Sequence, residues 1–330
     1  MMRQRTWSRP GLLVIVTALT TAFAMVAPGG AADTKPDDAA LTRIGTPPED
    51  LKLDPFYKKY VDANGIPVIG SEKVSDHALR EAAHLIGRML EHRPDVLAAM
   101  VKNKVRFVVI AYSERTTDVP EQRGMTPKDF WDVRARGLGA SRSKPIVSCG
   151  EENLLDYPGD PYKGENILIH EFGHAIHGLG LRDVDPTFER RLRQTYDDAI
   201  RKGLWRGTYA ASNPAEYWAE VVQSWFDCNL APPDFQHIQI DCREKLKAYD
   251  PVAAALAAVV FGDGPWRYVP PDRRPEQDNR HLAGYDPAQA PTFSWGPAQK
   301  KYDEVLAEKR RLRLRDQERQ AAQRKTDDPR

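Results

Sequence analysis

The chain has 330 residues, 41% of them hydrophobic and 29% charged, enough for one large domain or two small ones with a sizeable core. Its net charge of +1 hides a split: about +3 sits in residues 1–32 and about +4 in residues 300–330, leaving about −6 on the body between. A body of that sign offers no nucleic-acid footprint, so no nucleic-acid partner is expected.

Residues 1–32 read as a secretory signal peptide. Arg3, Arg5 and Arg9 form a positive start, residues 11–27 are apolar apart from threonines, and Gly29, Gly30, Ala31 and Ala32 offer small residues for cleavage. The competing reading is a membrane anchor, but the apolar run is short of the ~20 residues of a full span. No second apolar span follows, so the expectation is a secreted or periplasmic protein with no membrane span in the mature chain. Cys149, Cys228 and Cys242 are the three cysteines. One pair can bridge in an oxidising compartment, and Cys228 with Cys242 is nearest in sequence.

Residues 33–56 are rich in Pro, Asp and Thr and read as a linker or arm. Between residues 76 and 92, Leu79, Ala82, Ala83, Ile86, Met89 and Leu90 keep helical spacing. Residues 105–112 are β-branched and apolar, which predicts a buried strand. Thr126-Pro127 opens a short helix carrying Phe130, Trp131 and Val133, interrupted at Gly137-Leu138-Gly139. Residues 145–149 predict a second strand. At a sheet edge it would offer backbone hydrogen bonds to an extended peptide; an ordinary edge is an equal reading.

The most informative stretch follows: His170-Glu171-Phe172-Gly173-His174. Ile167, Ile169, Phe172 and Ile176 give this segment an apolar helical side, and Gly178 or Gly180 supplies a stop. On a helix, residues four apart share a face, so both imidazoles can reach one metal ion. Glu171 lies about 100° round the helix from His170, badly placed as a ligand but well placed to touch a metal-bound water. The chemistry implied is Zn2+ with Glu171 as general base.

A helix over residues 186–202 carries Phe188, Leu192, Tyr196 and Ile200 on one stripe and stops at Gly203. A catalytic zinc needs a third protein ligand. Glu216 is the candidate, on a helix that starts at Pro214. Asn213-Pro214-Ala215-Glu216 is also a capping box, a purely structural reading of the same residues. Glu220, one turn on, can accept the free N–H of a ligand histidine. His177 shares the histidine face, as an outer contact or as a histidine favoured by the helix C-terminus. Cys149 is a possible thiolate ligand or an inert buried residue. Residues 252–261 are an apolar helical run, residues 263–298 an irregular extension, and residues 299–330 a charged helical tail read as solvated rather than as a recognition element.

At these residues a resemblance is visible. His-Glu-Phe-Gly-His followed by Tyr209, Glu216, Tyr217, Trp218, Ala219 and Glu220 resembles the gluzincin zinc peptidases, above all the family of the anthrax lethal factor catalytic domain. The resemblance covers residues 165–227, with a looser likeness from about residue 75. It implies an α+β, zincin-like metallopeptidase domain over residues 57–262: a small mixed sheet, an active-site helix and a mainly helical C-terminal part. It implies His170, His174 and Glu216 as zinc ligands, Glu171 as catalytic base, Tyr209 as a donor to the oxyanion, and a peptide or protein substrate. Two alternatives keep the metal: a non-catalytic zinc protein on the same scaffold, and a zinc amidase acting on cell-wall peptides.

Overall fold

The structure is a computed structural model that describes residues 43–229 and 240–327. The signal segment at 1–32 and residues 33–42 of the expected arm lie outside the described residues. The fold is α+β, with a small mixed five-stranded sheet and a mainly helical C-terminal part, as expected.

The sheet begins with a hairpin that the sequence reading did not assign. Strands β1 (Lys59–Ala63) and β2 (Ile66–Gly70) pair antiparallel, with Ala63 opposite Ile66. The turn is Asn64-Gly65, with φ of 55° and 93°. A two-residue hairpin turn with both residues at positive φ favours this dipeptide, because Asn tolerates the left-handed region and Gly enters it freely. Strands β3 (Arg106–Ile110), β4 (Gly137–Leu138) and β5 (Ile146–Gly150) complete the order β1-β2-β3-β5-β4. The β2, β3 and β5 run is parallel, and both flanking pairs are antiparallel.

Side chains alternate between the sheet faces. Val68, Phe107, Val109, Val147 and Cys149 point into the main core, whereas Ile69, Val108, Ile110 and Ile146 meet Tyr57 and Val119 on the other side. Two sequence expectations change here. Residues 146–150 form an internal strand, not an edge. The edge is β4, the Gly137-Leu138 stretch expected to interrupt a helix. Cys149 is a buried core residue, and all three cysteines are free thiols.

Helix α1 (Asp76–Leu90) is capped by Ser75, whose Oγ accepts from His77 N, and it packs on the main-core face of the sheet. Helix α2 (Pro94–Lys102) and helix α3 (Lys128–Arg134) follow. Helix α4 (Ile167–Ala175), which carries His170, Glu171 and His174, does not stop at its glycines: it continues as a π-helical stretch, Ile176–Leu181. Gly180 serves close packing, since a Cβ there would stand 2.6 Å from Val96 Cγ1 on α2. Helices α5 (Phe188–Arg201), α6 (Pro214–Trp225), α7 (Arg243–Tyr249) and α8 (Pro251–Phe261) build the C-terminal part. Residues 263–298 are short turns and coil tied back to α1: Arg274 and His281 both bind the fully buried Glu81, at 2.7 and 2.6 Å. Helix α9 (Gln299–Asp327) starts beside α3, where Tyr302 and Val305 pack on the buried Val133, Phe293 and Trp295. No helix among the described residues is long and apolar enough to cross a membrane.

Candidate metal centre

Helix α4 is started by Asn166, whose Oδ1 accepts from Ile169 N at 2.9 Å. Leu168, Ile169, Phe172 and Ala175 are buried in the core. That burial fixes the rotation of the helix and turns His170 and His174 toward a cleft. Helix α6 approaches closely, with Trp218 Nε1 donating to Gly173 O at 3.0 Å. Asn213 Oδ1 caps α6 by accepting from Ala215 N and Glu216 N, at 2.9 and 3.0 Å. Glu216 does not complete a capping box. Its carboxylate points across to the two histidines, so the cap and the converging glutamate occur together.

The three donor atoms form a triangle. Glu216 Oε2 stands 3.2 Å from His170 Nε2 and 3.2 Å from His174 Nε2, and the two Nε2 atoms are 3.3 Å apart. Ligands ~2.0–2.1 Å from a tetrahedral zinc ion stand about 3.3–3.4 Å from one another. The donor set and its spacing therefore fit zinc with one vertex left over. Among the described residues this is the one such cluster of His, Cys, Asp or Glu.

The electrostatics of these groups are strongly coupled. Burial opposes charge on His170, but its hydrogen bond to Glu216 and the charges of Glu171, Glu220 and Glu216 prevail and raise its pKa to about 10. Burial likewise opposes the Glu216 carboxylate, yet the hydrogen bonds from His170 and His174 hold it well below the usual range. Glu171 shifts upward: burial dominates over the attraction of the two histidines. A carboxylate with raised proton affinity suits a general base.

The backbone of β4 and the residue after it run directly against Glu171. A Cβ on Gly139 would lie 3.2 Å from Glu171 Oε2 and 3.3 Å from His174 Cβ, and one on Gly137 would lie 2.4 Å from Ile167 Cγ2. Gly137 is needed for that approach, and a side chain at Gly139 would require its neighbours to give by a few tenths of an ångström.

Tyr209 sits beside the triangle, its ring stacked on His170 with centroids 6.2 Å apart. Burial, then the charge of Glu216, pushes its phenol up to about 12, so it remains a donor. The loop carrying it is anchored by Trp205, whose Nε1 donates to Asp250 at 2.9 Å; Tyr217 donates to the same carboxylate at 2.6 Å.

Two expected outer contacts are placed differently. His170 Nδ1 meets Gln223 Oε1 at 2.8 Å, while Glu220 stands 3.8 Å away and accepts from Asn229 at 3.0 Å. The sequence reading missed Gln223, although it lies seven residues after Glu216 on the same helical face. His177 turns aside to Glu189 at 2.7 Å on α5. Cys149 belongs to the core and not to the donor cluster.

The centre opens into a cleft of about 1390 Å³. Its walls are the 137–140 segment, the Tyr209 loop, the end of α3 and the first turns of α9. The tail expected to be solvated thus lines the cleft, because Tyr302 and Val305 have an apolar seat at Trp295.

No family model and no curated protein matches the chain. Among solved structures, it is similar to the Pro-Pro endopeptidase PPEP-2 from Paenibacillus alvei, with 20% identity and a TM-score of 0.41 over 59% of this chain and 97% of that one.

Proposed function

We propose that this chain is an exported zinc metallopeptidase of the gluzincin type, with His170, His174 and Glu216 as metal ligands and Glu171 as general base. The observation that carries the reading is the triangle of donor atoms, with edges of 3.2–3.3 Å, facing an open cleft. Zinc held there supplies Lewis acidity and lowers the pKa of water to about 7.

The chain's own residues supply the rest. Glu171, buried and raised in proton affinity, takes the proton of the attacking water and passes it to the leaving amine. Tyr209 stays protonated through the neutral range and donates its O–H to the carbonyl oxygen as negative charge develops there, an interaction worth about 2.7–4 kcal/mol in oxyanion sites. Gln223 fixes the ring of His170. Strand β4, at the edge of the sheet and against Glu171, offers backbone groups to an extended peptide, which places the scissile bond beside the base. Export rests on the character of residues 1–32.

The test is Glu171→Gln in the exported chain. Metal content should stay at one zinc per chain while cleavage of a mixed peptide library, followed by mass spectrometry, disappears. Unchanged turnover would remove Glu171 from the mechanism, and absence of zinc from the purified chain would end the reading.

A further inference from the structure

Arg134 closes helix α3 and lines the cleft together with Glu171, His174 and Tyr209. Among the described residues its guanidinium has no hydrogen-bond or ion-pair partner. Arg182, which lines the same cleft, is tied to Glu189 at 2.8 Å. The backbone on either side of Arg134 is immobilised. Val133 is buried, Ala135 O accepts from Thr116 at 2.6 Å, and Arg136 is locked to Glu152 at 2.6 Å with both side chains fully buried. The Arg134 carbonyl itself accepts from Lys309 Nζ of α9 at 3.2 Å. The guanidinium is thus an unpaired planar fork on a rigid base. Its charge also bears on both Glu171 and Tyr209, the proposed base and oxyanion donor.

We infer that Arg134 is a specificity-determining residue that binds a carboxylate of the peptide substrate close to the cleaved bond. This rests on the peptidase reading above and names its substrate class. A guanidinium presents donors in a fork that matches a carboxylate two-fold, which an ammonium cannot do. The carboxylate has two sources, an internal acidic side chain or the free C-terminus of a short peptide.

The experiment measures binding to the zinc-loaded, full-length Glu171→Gln chain. Three fluorescent heptapeptide pools serve as probes: an uncharged pool with amidated ends, the same pool with one internal Glu, and the uncharged pool with a free C-terminal carboxylate. At least one carboxylate pool should bind about 10-fold or more tightly than the uncharged pool. Adding Arg134→Gln should abolish that preference while the uncharged pool binds as before, and Arg134→Lys should retain part of it. Which pool loses affinity identifies the source. Equal binding of all pools, or a preference that survives Arg134→Gln, overturns the assignment while leaving the peptidase reading intact. So does an equal loss on every pool, which would make Arg134 a positioning residue for the cleft. A zinc-loaded chain that binds no pool sinks both.

Discussion

Gln223 Oε1 lies 2.8 Å from His170 Nδ1, and Gln223 Nε2 donates to Asn166 O at 3.3 Å. The second contact settles which way the amide points. Its oxygen faces His170 and accepts from Nδ1, so Nε2 is the nitrogen left for a metal once the proton it shares with Glu216 is displaced. Gln223 is fully buried, and no water competes for the contact. Gln223→Leu should therefore weaken zinc affinity by about 10–100-fold, in line with other outer-sphere substitutions. A chelator competition titration measures it. Affinity equal to the parent would show that the ring is held by other means.

The Tyr209 ring is 44% exposed at the cleft, and removing its hydroxyl leaves the ring's stacking on His170 in place. Tyr209→Phe should lower kcat by about 10²–10³-fold with zinc content and melting temperature unchanged. If KM rises instead while kcat holds, Tyr209 contacts the ground-state peptide and not the developing oxyanion.

Gly137 is the closest approach between β4 and helix α4. Gly137→Ala would drive a Cβ to 2.4 Å from Ile167 Cγ2 and 3.1 Å from Glu171 Cγ. Strand and helix must then part. The expected cost is about 1–3 kcal/mol, read by chemical denaturation, together with a fall in hydrolysis at full zinc occupancy. Native stability and native activity together would mean that β4 is free to move.

Glu81 gives the fold a defined acid sensitivity. Burial opposes its charge, but Arg274 and His281 outweigh burial and hold its carboxyl well below the usual carboxylate range. A depressed carboxyl stabilises the fold fully above its unfolded value, about 4.3, and progressively less as pH falls below it. His84 stacks on His281 at 4.0 Å and is pushed down to about 3, burial being the first cause. Its neutral form is favoured in the fold, so its contribution is complete above the unfolded value near 6.5 and is lost as pH falls toward 3. Both groups act in the same direction. Between pH 6.5 and pH 3 the melting temperature should fall less in His84→Leu than in the parent. An equal fall in His84→Leu and the parent would contradict the account. Arg274→Met, which leaves the buried carboxylate with His281 as its remaining partner, should cost about 3 kcal/mol at neutral pH.

Removing residues 299–330 should uncover Val133, Phe293 and Trp295, now covered by Tyr302 and Val305. Tyr302 stacks on Trp295 with centroids 4.7 Å apart. The truncated chain should melt lower and bind an apolar fluorescent dye, because an exposed aromatic patch replaces a packed one. Replacing the tail by an unrelated soluble helix should not restore the parent melting temperature; if it does, the seat at Trp295 is not specific.

The sequence by itself determined what depends on spacing within one element. Two histidines four apart, a glutamate between them, a capped helix start at Asn213 and an aromatic residue at Tyr209 are all local patterns, and helical geometry translates them directly into shared faces. The hairpin at Asn64-Gly65 rests on turn chemistry just as local, yet the sequence analysis did not assign it. Tertiary structure alone decided what depends on distance between segments. It chose Gln223 over Glu220 as the partner of His170, because rotation of α6 is set by packing against α4 and not by its own sequence. It turned His177 to Glu189. It made Gly137-Leu138 an edge strand, because Gly137, with Gly139 after the strand, lets the backbone reach Glu171. And it folded a charged tail along the cleft, because a few apolar side chains among many charged ones found a seat that only residues 263–298 and α3 together provide.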